Sequence, residues 1–279
     1  MHDSSKTILY YARSESTFST IAQSTTTLMN KSILIIGDPS GLHSLCSIKR
    51  GFSPENIWVW ENDQAHFYAI KQINAKINLV EDLDILIQKK MRFTLSIGNP
   101  PYGVGGNLAI KFLNKTSKLT DDIRFVLPTS VRKPSSLNKI SPNLHCVLDE
   151  DLDPSTFPGG ISAVKQHWVV KDECRKKIYM HTSHPDFQFL PYERRFEADV
   201  FVGEYGCGPS GRVKTENFTH YAKGHHFLKV RDPEVIQNLV EFSPKFREVA
   251  NQCNGRYHFG KNDLISTYIK CLGEKNEKK

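Results

Sequence analysis

The chain has 279 residues, 39% hydrophobic and 24% charged, with a net charge of +7. That length supplies core for a large domain and a second unit, and no run approaches the ~20 apolar residues of a membrane span. The N-terminal stretch MHDSSKTILYYARSES has no basic segment followed by an apolar one, so no secretory signal and a cytoplasmic location are expected. The cysteines, Cys46, Cys146, Cys174, Cys207, Cys253 and Cys271, include no C-x-x-C pair. Reduced, structural thiols are therefore expected. A pI near 9.0 favours a polyanionic partner, with the charge spread over both halves.

Residues 1–30 are rich in Ser and Thr, and Phe18 to Met29 reads as a helix. Ser32 to Gly37 is a continuous apolar run ending in glycine, the pattern of a central parallel strand buried on both faces. Asp38-Pro39-Ser40-Gly41 follows, then a helix start. Strand, glycine turn and helix make a dinucleotide-type crossover. Ile57 to Trp60 is a second strand ending at Glu61. An acid there, about 20 residues past the glycine turn, is placed to bind ribose hydroxyls. Gln64 to Asn74 reads as a helix and Ile77 to Val80 as the third strand, followed by the acids Glu81, Asp82 and Asp84.

Phe93 to Ile97 alternates as a fourth strand. It stops at Gly98 and delivers Asn99-Pro100-Pro101-Tyr102. Successive prolines fix φ and remove two donors, leaving their carbonyls to accept. Gly103 to Asn107 reads as a flexible loop, without the lysine or spacing of a phosphate loop. Leu108 to Lys118 is a helix with one apolar face. Asp122 to Pro128 is strand five, and Leu144 to Leu148 and Ala163 to Val170 are the final pair, with a turn at Phe157 to Gly160 between them.

From about Lys171 the pattern changes to short aromatic segments punctuated by Gly, Pro and His. Val200 to Tyr205 reads as a strand, and Asp232 to Leu239 and Pro244 to Asn251 as small amphipathic helices. The C-terminal GEKNEKK reads as a frayed tail. Arg194, Arg195, Arg212 and Lys214, with interleaved aromatics, suit a nucleic-acid surface. His181 with His184, and the pair His225-His226, have no Cys or acid at a zinc spacing, so no metal is expected. No G-x-S-x-G nucleophile motif is present.

An exocyclic amine such as adenine N6 is a poor nucleophile, because its lone pair is delocalised into the ring. The Asn99 side-chain oxygen and the Pro100 carbonyl are acceptors of the kind that favour a pyramidal amine and the charge developing on it. Tyr102 would stack on an extruded base. Asn99-Pro100-Pro101-Tyr102 resembles the (D/N/S)-P-P-(Y/F/W) motif of S-adenosylmethionine-dependent N6-adenine DNA methyltransferases. Gly37 and Gly41 line up with the first and third glycines of that family's cofactor loop, and Pro39 stands where the middle glycine belongs.

The resemblance covers roughly residues 30–170, with cofactor loop, catalytic motif and variable region in the family's gamma order. It implies a doubly wound, Rossmann-like α/β catalytic domain (1–171) and a smaller target-recognition domain (172–279). It further implies S-adenosylmethionine held by Gly37, Asp38, Gly41, Glu61 and Asp82 (Asp84 being the alternative to Asp82), and catalysis by Asn99, Pro100, Pro101 and Tyr102. The activity implied is site-specific methylation of adenine N6 in double-stranded DNA, with a cognate restriction endonuclease as a partner. RNA adenine and a protein glutamine are the alternative substrates. A methyltransferase fold kept only for nucleic-acid binding is the rival that Pro39 suggests.

Overall fold

The computed structural model describes residues 28–153, 162–206, 209–251 and 258–277. The expected helix from Phe18 falls almost wholly outside these residues, and so does the turn at Phe157 to Gly160. The chain divides into two units, Met1–Ile178 and Tyr179–Lys279. The segment after Lys171 stays with the first unit because Arg175 donates to the carbonyls of Leu137, Ile140, Ser141 and Leu144. Asn138 also brackets Ile178, accepting from its N–H and donating to its carbonyl, each at 2.9 Å.

In the first unit β1 (Ile33–Ile36), β2 (Ile57–Trp60), β3 (Asn78–Val80), β4 (Leu95–Gly98) and β5 (Asp122–Pro128) alternate with helices α1 (Leu42–Lys49), α2 (Gln64–Ile73), α3 (Leu83–Gln88) and α4 (Asn107–Thr116). The short α5 (Pro134–Leu137) precedes β6 (Leu144–Asp151) and β7 (Ala163–Val170). The strands form one sheet in the order β3-β2-β1-β4-β5-β7-β6. All neighbours from β3 to β5 are parallel, and β7 is antiparallel to both β5 and β6. This is a Rossmann-like, doubly wound α/β sheet with an antiparallel strand inserted next to its edge.

The unbroken apolar run of β1 has a direct cause. Leu34 and Ile36 face one core with Phe125, Leu127 and Trp168, while Ile33 and Ile35 face a second core with Val59, Ile70 and Ile97. A central strand covered by helices on both faces has no solvent side and so shows no alternation.

The second unit holds a four-stranded sheet in the order β10-β9-β11-β8, formed by β8 (Phe187–Leu190), β9 (Val200–Val202), β10 (Val213–Lys214) and β11 (His226–Val230). Two helices follow, α6 (Pro233–Asn251) and α7 (Lys261–Asn276). The two small helices expected before and after Ser243 are one helix with Pro244 inside it. Pro244 removes one intrahelical donor, but a single buried stripe of Val235, Leu239, Phe242, Phe246 and Ala250 runs past it and holds both halves. The expected C-terminal tail is instead helical through Asn276, because Leu264, Ile265, Tyr268 and Cys271 anchor α7 in the same core.

Candidate active site

The strand order reverses at β1, which lies between β2 and β4, and open α/β sheets bind ligands outside the carboxyl ends of strands at such a point. The ends of four strands are stitched into one row there. Glu61 N–H donates to the Val80 carbonyl at 3.2 Å, Gly37 N–H to that of Trp60 at 3.1 Å, and Asn99 N–H to that of Ile36 at 3.0 Å. Gly37 has φ 75°, and a Cβ there would lie 2.9 Å from the Asn99 carbonyl oxygen. The expected cofactor turn and the expected catalytic motif are thus in backbone contact, and glycine is what permits it.

The Pro39 departure has a structural explanation. Asp38-Pro39-Ser40-Gly41 closes as a turn, with Gly41 N–H donating to the Asp38 carbonyl at 2.9 Å. Proline suits the second position of a turn, where no N–H is required. Asp38 itself is fully buried. Its carboxylate accepts from the N–H groups of His43 (2.9 Å) and Ser44 (2.8 Å) and from the Ser44 hydroxyl (2.6 Å), with His43 Nδ1 at 3.2 Å. Burial pushes its pKa up, but the bonds from His43 and Ser44 outweigh this and hold the carboxyl below its ordinary range.

These contacts fill about four lone-pair sites of a carboxylate. The Asp38 side chain therefore builds the turn and ties it to the start of α1. An acid just ahead of a helix start is the signal that points to this role.

Glu61 is also buried, 5% exposed, but its oxygens are not filled. Oε2 accepts from Asp38 N–H at 3.2 Å and Oε1 from Asn62 N–H at 3.0 Å. His66 Nδ1, a group not anticipated, lies 3.3 Å from Oε1. The carboxylate is held in place with accepting capacity to spare.

Asp82 is half exposed and caps α3, accepting from Asp84 N–H at 2.9 Å. Lys115 on α4 lies 2.7 Å from Asp84 and 3.8 Å from Asp82. Asp82 remains at the carboxyl end of β3, beside the row formed by Trp60 and Glu61.

In the motif, Pro100 and the Asn99 side-chain oxygen are buried. Tyr102 is anchored at its hydroxyl end. Its ring packs against the core that contains Ile110 and Phe112, and its hydroxyl is buried with no hydrogen-bond partner among the described residues. Burial pushes its phenol above the ordinary tyrosine range. The residue as a whole is half-buried, with its ring on the core and its hydroxyl inside.

The loop after the motif, expected to be flexible, forms a single 3-10 turn, Val104–Gly106. Tyr102 O accepts from Leu108 and Ala109 N–H. Asn107 bridges the Val104 carbonyl and the Lys139 ammonium, each at 2.9 Å.

The four basic residues expected on a nucleic-acid surface fare differently. Arg194 is paired with Glu197, with Nε 2.8 Å from Oε1. Arg195 donates to the carbonyls of Thr219 (2.9 Å) and Tyr192 (3.2 Å). Both guanidinium groups are thus engaged within the unit. The Lys214 ammonium lies over the Tyr221 ring at 4.8 Å, and Arg212 is exposed.

The unit from Tyr179 onward carries 15 Lys and Arg against 13 Asp and Glu, a net +2, so most of the chain's positive charge lies in the first unit. Of the histidines, His184 accepts from Asp186 N–H at 3.2 Å, His225 accepts from Glu204 N–H at 3.1 Å, and His226 Nε2 is 2.8 Å from the Phe259 carbonyl. Among the described residues no group of three His, Cys, Asp or Glu is placed to hold a metal ion, and no helix is long and apolar enough to cross a membrane.

No family model matches the sequence, and no curated protein matches it. Solved structures do. The 23S rRNA methyltransferase ErmE is similar at 14% identity and a TM-score of 0.43, over 60% of this chain and 72% of that one. A dimethyladenosine transferase from Plasmodium falciparum is similar at 12% identity and 0.43, over 58% and 63%. A putative RNA methyltransferase from Pyrococcus horikoshii is similar at 15% identity and 0.41, over 53% and 77%. At this distance they carry no argument of their own, and what the first unit shows is a doubly wound, Rossmann-like sheet in the order β3-β2-β1-β4-β5-β7-β6.

Proposed function

We propose that the chain is an S-adenosylmethionine-dependent methyltransferase acting on the N6 amine of an adenine in a nucleic acid, DNA being the first substrate to try. One observation carries this reading: the turn after β1, closed by the buried Asp38 carboxylate, touches the Asn99-Pro100 turn after β4.

The chemistry of the first turn selects its ligand. In dinucleotide-binding folds the N-terminal N–H groups of the first helix hold a pyrophosphate. Here those of His43 and Ser44 are already bonded to a carboxylate, and negative charge stands where a phosphate would sit. A cationic or neutral ligand suits this turn and a phosphate does not. S-adenosylmethionine fits, and when bound it supplies an activated methyl group on a sulfonium cation.

Gly37 leaves room for a close backbone approach. Glu61 accepts from ribose hydroxyls, and Asp82 stands at the adenine end. Asn99 and Pro100 accept from the substrate amine, and no metal or covalent enzyme intermediate is required. Such pre-placed acceptors act by matching charge that develops during reaction. The Asp38–Gly41 turn also weakens the rival in which Pro39 marks a degenerate fold, because Pro39 fits the turn it occupies.

The test is transfer of labelled methyl to duplex DNA, to RNA and to protein by the intact chain and by Asn99→Ala. Transfer to a nucleic acid that falls on the order of 10²–10³-fold in the variant, with cofactor binding unchanged, supports the reading. Labelling of protein alone, or full activity in the variant, contradicts it.

A further inference from the structure

The segment Tyr192–Glu197 contains a stack built around Arg195. The Arg195 guanidinium lies 4.2 Å from the Tyr192 ring centroid and 4.1 Å from that of Phe196. Tyr192 continues inward to the buried Phe227, 6.1 Å away edge to face. The column therefore runs Phe227, Tyr192, Arg195, Phe196 and then stops. Phe196 is 68% exposed.

The column is built rather than accidental. Arg195 is fixed from two directions, through Thr219 and Tyr192, which holds the plane on which Phe196 rests. The acids nearby are countered: Glu197 by Arg194, and Glu193 by Lys223 at 3.7 Å. Neither presents an uncompensated charge to a polyanion. The Phe196 ring is thus held by the Arg195 plane and left mostly in water.

We propose that Phe196 is a stacking platform for one unpaired base of the nucleic-acid strand. The platform rests on the nucleic-acid reading above and deepens it by assigning the contact. Bases stack on aromatic rings and on arginine planes with little regard to sequence. The role of Arg195 is then to position the phenyl ring, with no phosphate contact of its own.

The experiment measures affinity for a single-stranded oligonucleotide carrying 2-aminopurine, using the full chain, Phe196→Ala, Phe196→Trp and Arg195→Lys, each checked for native circular dichroism. Phe196→Ala is expected to weaken binding roughly 5- to 100-fold, with an unchanged slope of log affinity against log salt, since no phosphate contact is lost. Phe196→Trp should bind as well or better and quench the 2-aminopurine. Arg195→Lys should fall between.

Unchanged affinity in Phe196→Ala, or a loss accompanied by a shallower salt slope, overturns the platform. So does an intact chain that binds no oligonucleotide, which would leave Phe196 to a protein interface. Methyl transfer is measured separately. Affinity that depends on Phe196 without any methyl transfer by the intact chain keeps the platform and removes the enzymatic reading.

Discussion

The turns at the ends of β1 and β2 each bury a carboxylate, and the two are used differently. Asp38 meets four donor atoms supplied by two successive residues of α1. Glu61 receives one backbone N–H on each oxygen. Burial alone therefore does not mark a ligand-binding acid. The count of internal donors does, because a carboxylate already saturated within the chain has nothing left to offer a ribose.

The comparison breaks most easily at Asp38. Asp38→Ala strands two helix N–H groups and a buried hydroxyl and removes a helix cap, so it is expected to cost about 2–4 kcal/mol of stability. Urea unfolding would read this as a lower midpoint, and a variant as stable as the intact chain would contradict the capping role. The pH dependence follows the same logic. Asp38 is held below its ordinary value of 3.8, so its stabilisation is full above that pH and is lost as the pH falls below it, through the lower folded value. Asp38→Asn should flatten this acid limb of the stability profile.

Glu61→Ala is expected to act on both properties. It strands the buried Asp38 N–H, so it should cost about 1–3 kcal/mol of stability, less than Asp38→Ala, and it should weaken the cofactor by about 1.5–3 kcal/mol, the range for hydrogen bonds to a charged group. A large loss of stability with normal cofactor binding would show that Glu61, like Asp38, serves only the fold.

Gly37→Ala sharpens the link between the β1 and β4 turns. Its φ of 75° and the 2.9 Å approach of the Asn99 carbonyl should cost about 1–2 kcal/mol in backbone strain. Turnover should fall along with cofactor affinity, because the motif backbone must shift. Turnover unaffected at saturating cofactor would separate the two turns.

The smallest effect is expected at Tyr102. Tyr102→Phe removes a buried hydroxyl with no partner among the described residues and should raise stability by about 1 kcal/mol, seen as a higher urea midpoint. A destabilised variant would show that the hydroxyl has a role.

Much of the first unit was legible because its strands are buried on both faces or bounded by proline and glycine. β5 and β7 occupy the residues expected of them, Asp122–Pro128 and Ala163–Val170. The apolar run of β1 could only be a central strand. The second unit was less legible. Pro244 read as a boundary, because local backbone chemistry says so, whereas the stripe from Val235 to Ala250 overrode it through tertiary packing. At the site, spacing put Glu61 at the carboxyl end of β2, where it is buried, but sequence cannot show which way the Asp38 carboxylate turns. Nor can it show that Arg194 and Arg195, read as part of a nucleic-acid surface, engage Glu197 and Thr219, partners that only the fold reveals.

The central claim is that the β1 turn, closed by Asp38 and flanked by Glu61, holds a sulfonium cofactor and refuses a phosphate. Calorimetric titration of the intact chain with S-adenosylmethionine and, separately, with NAD tests it most directly. Saturable binding of S-adenosylmethionine, weakened in Glu61→Ala, with no heat from NAD, is the predicted result. Binding of NAD, or no binding of S-adenosylmethionine, would contradict it.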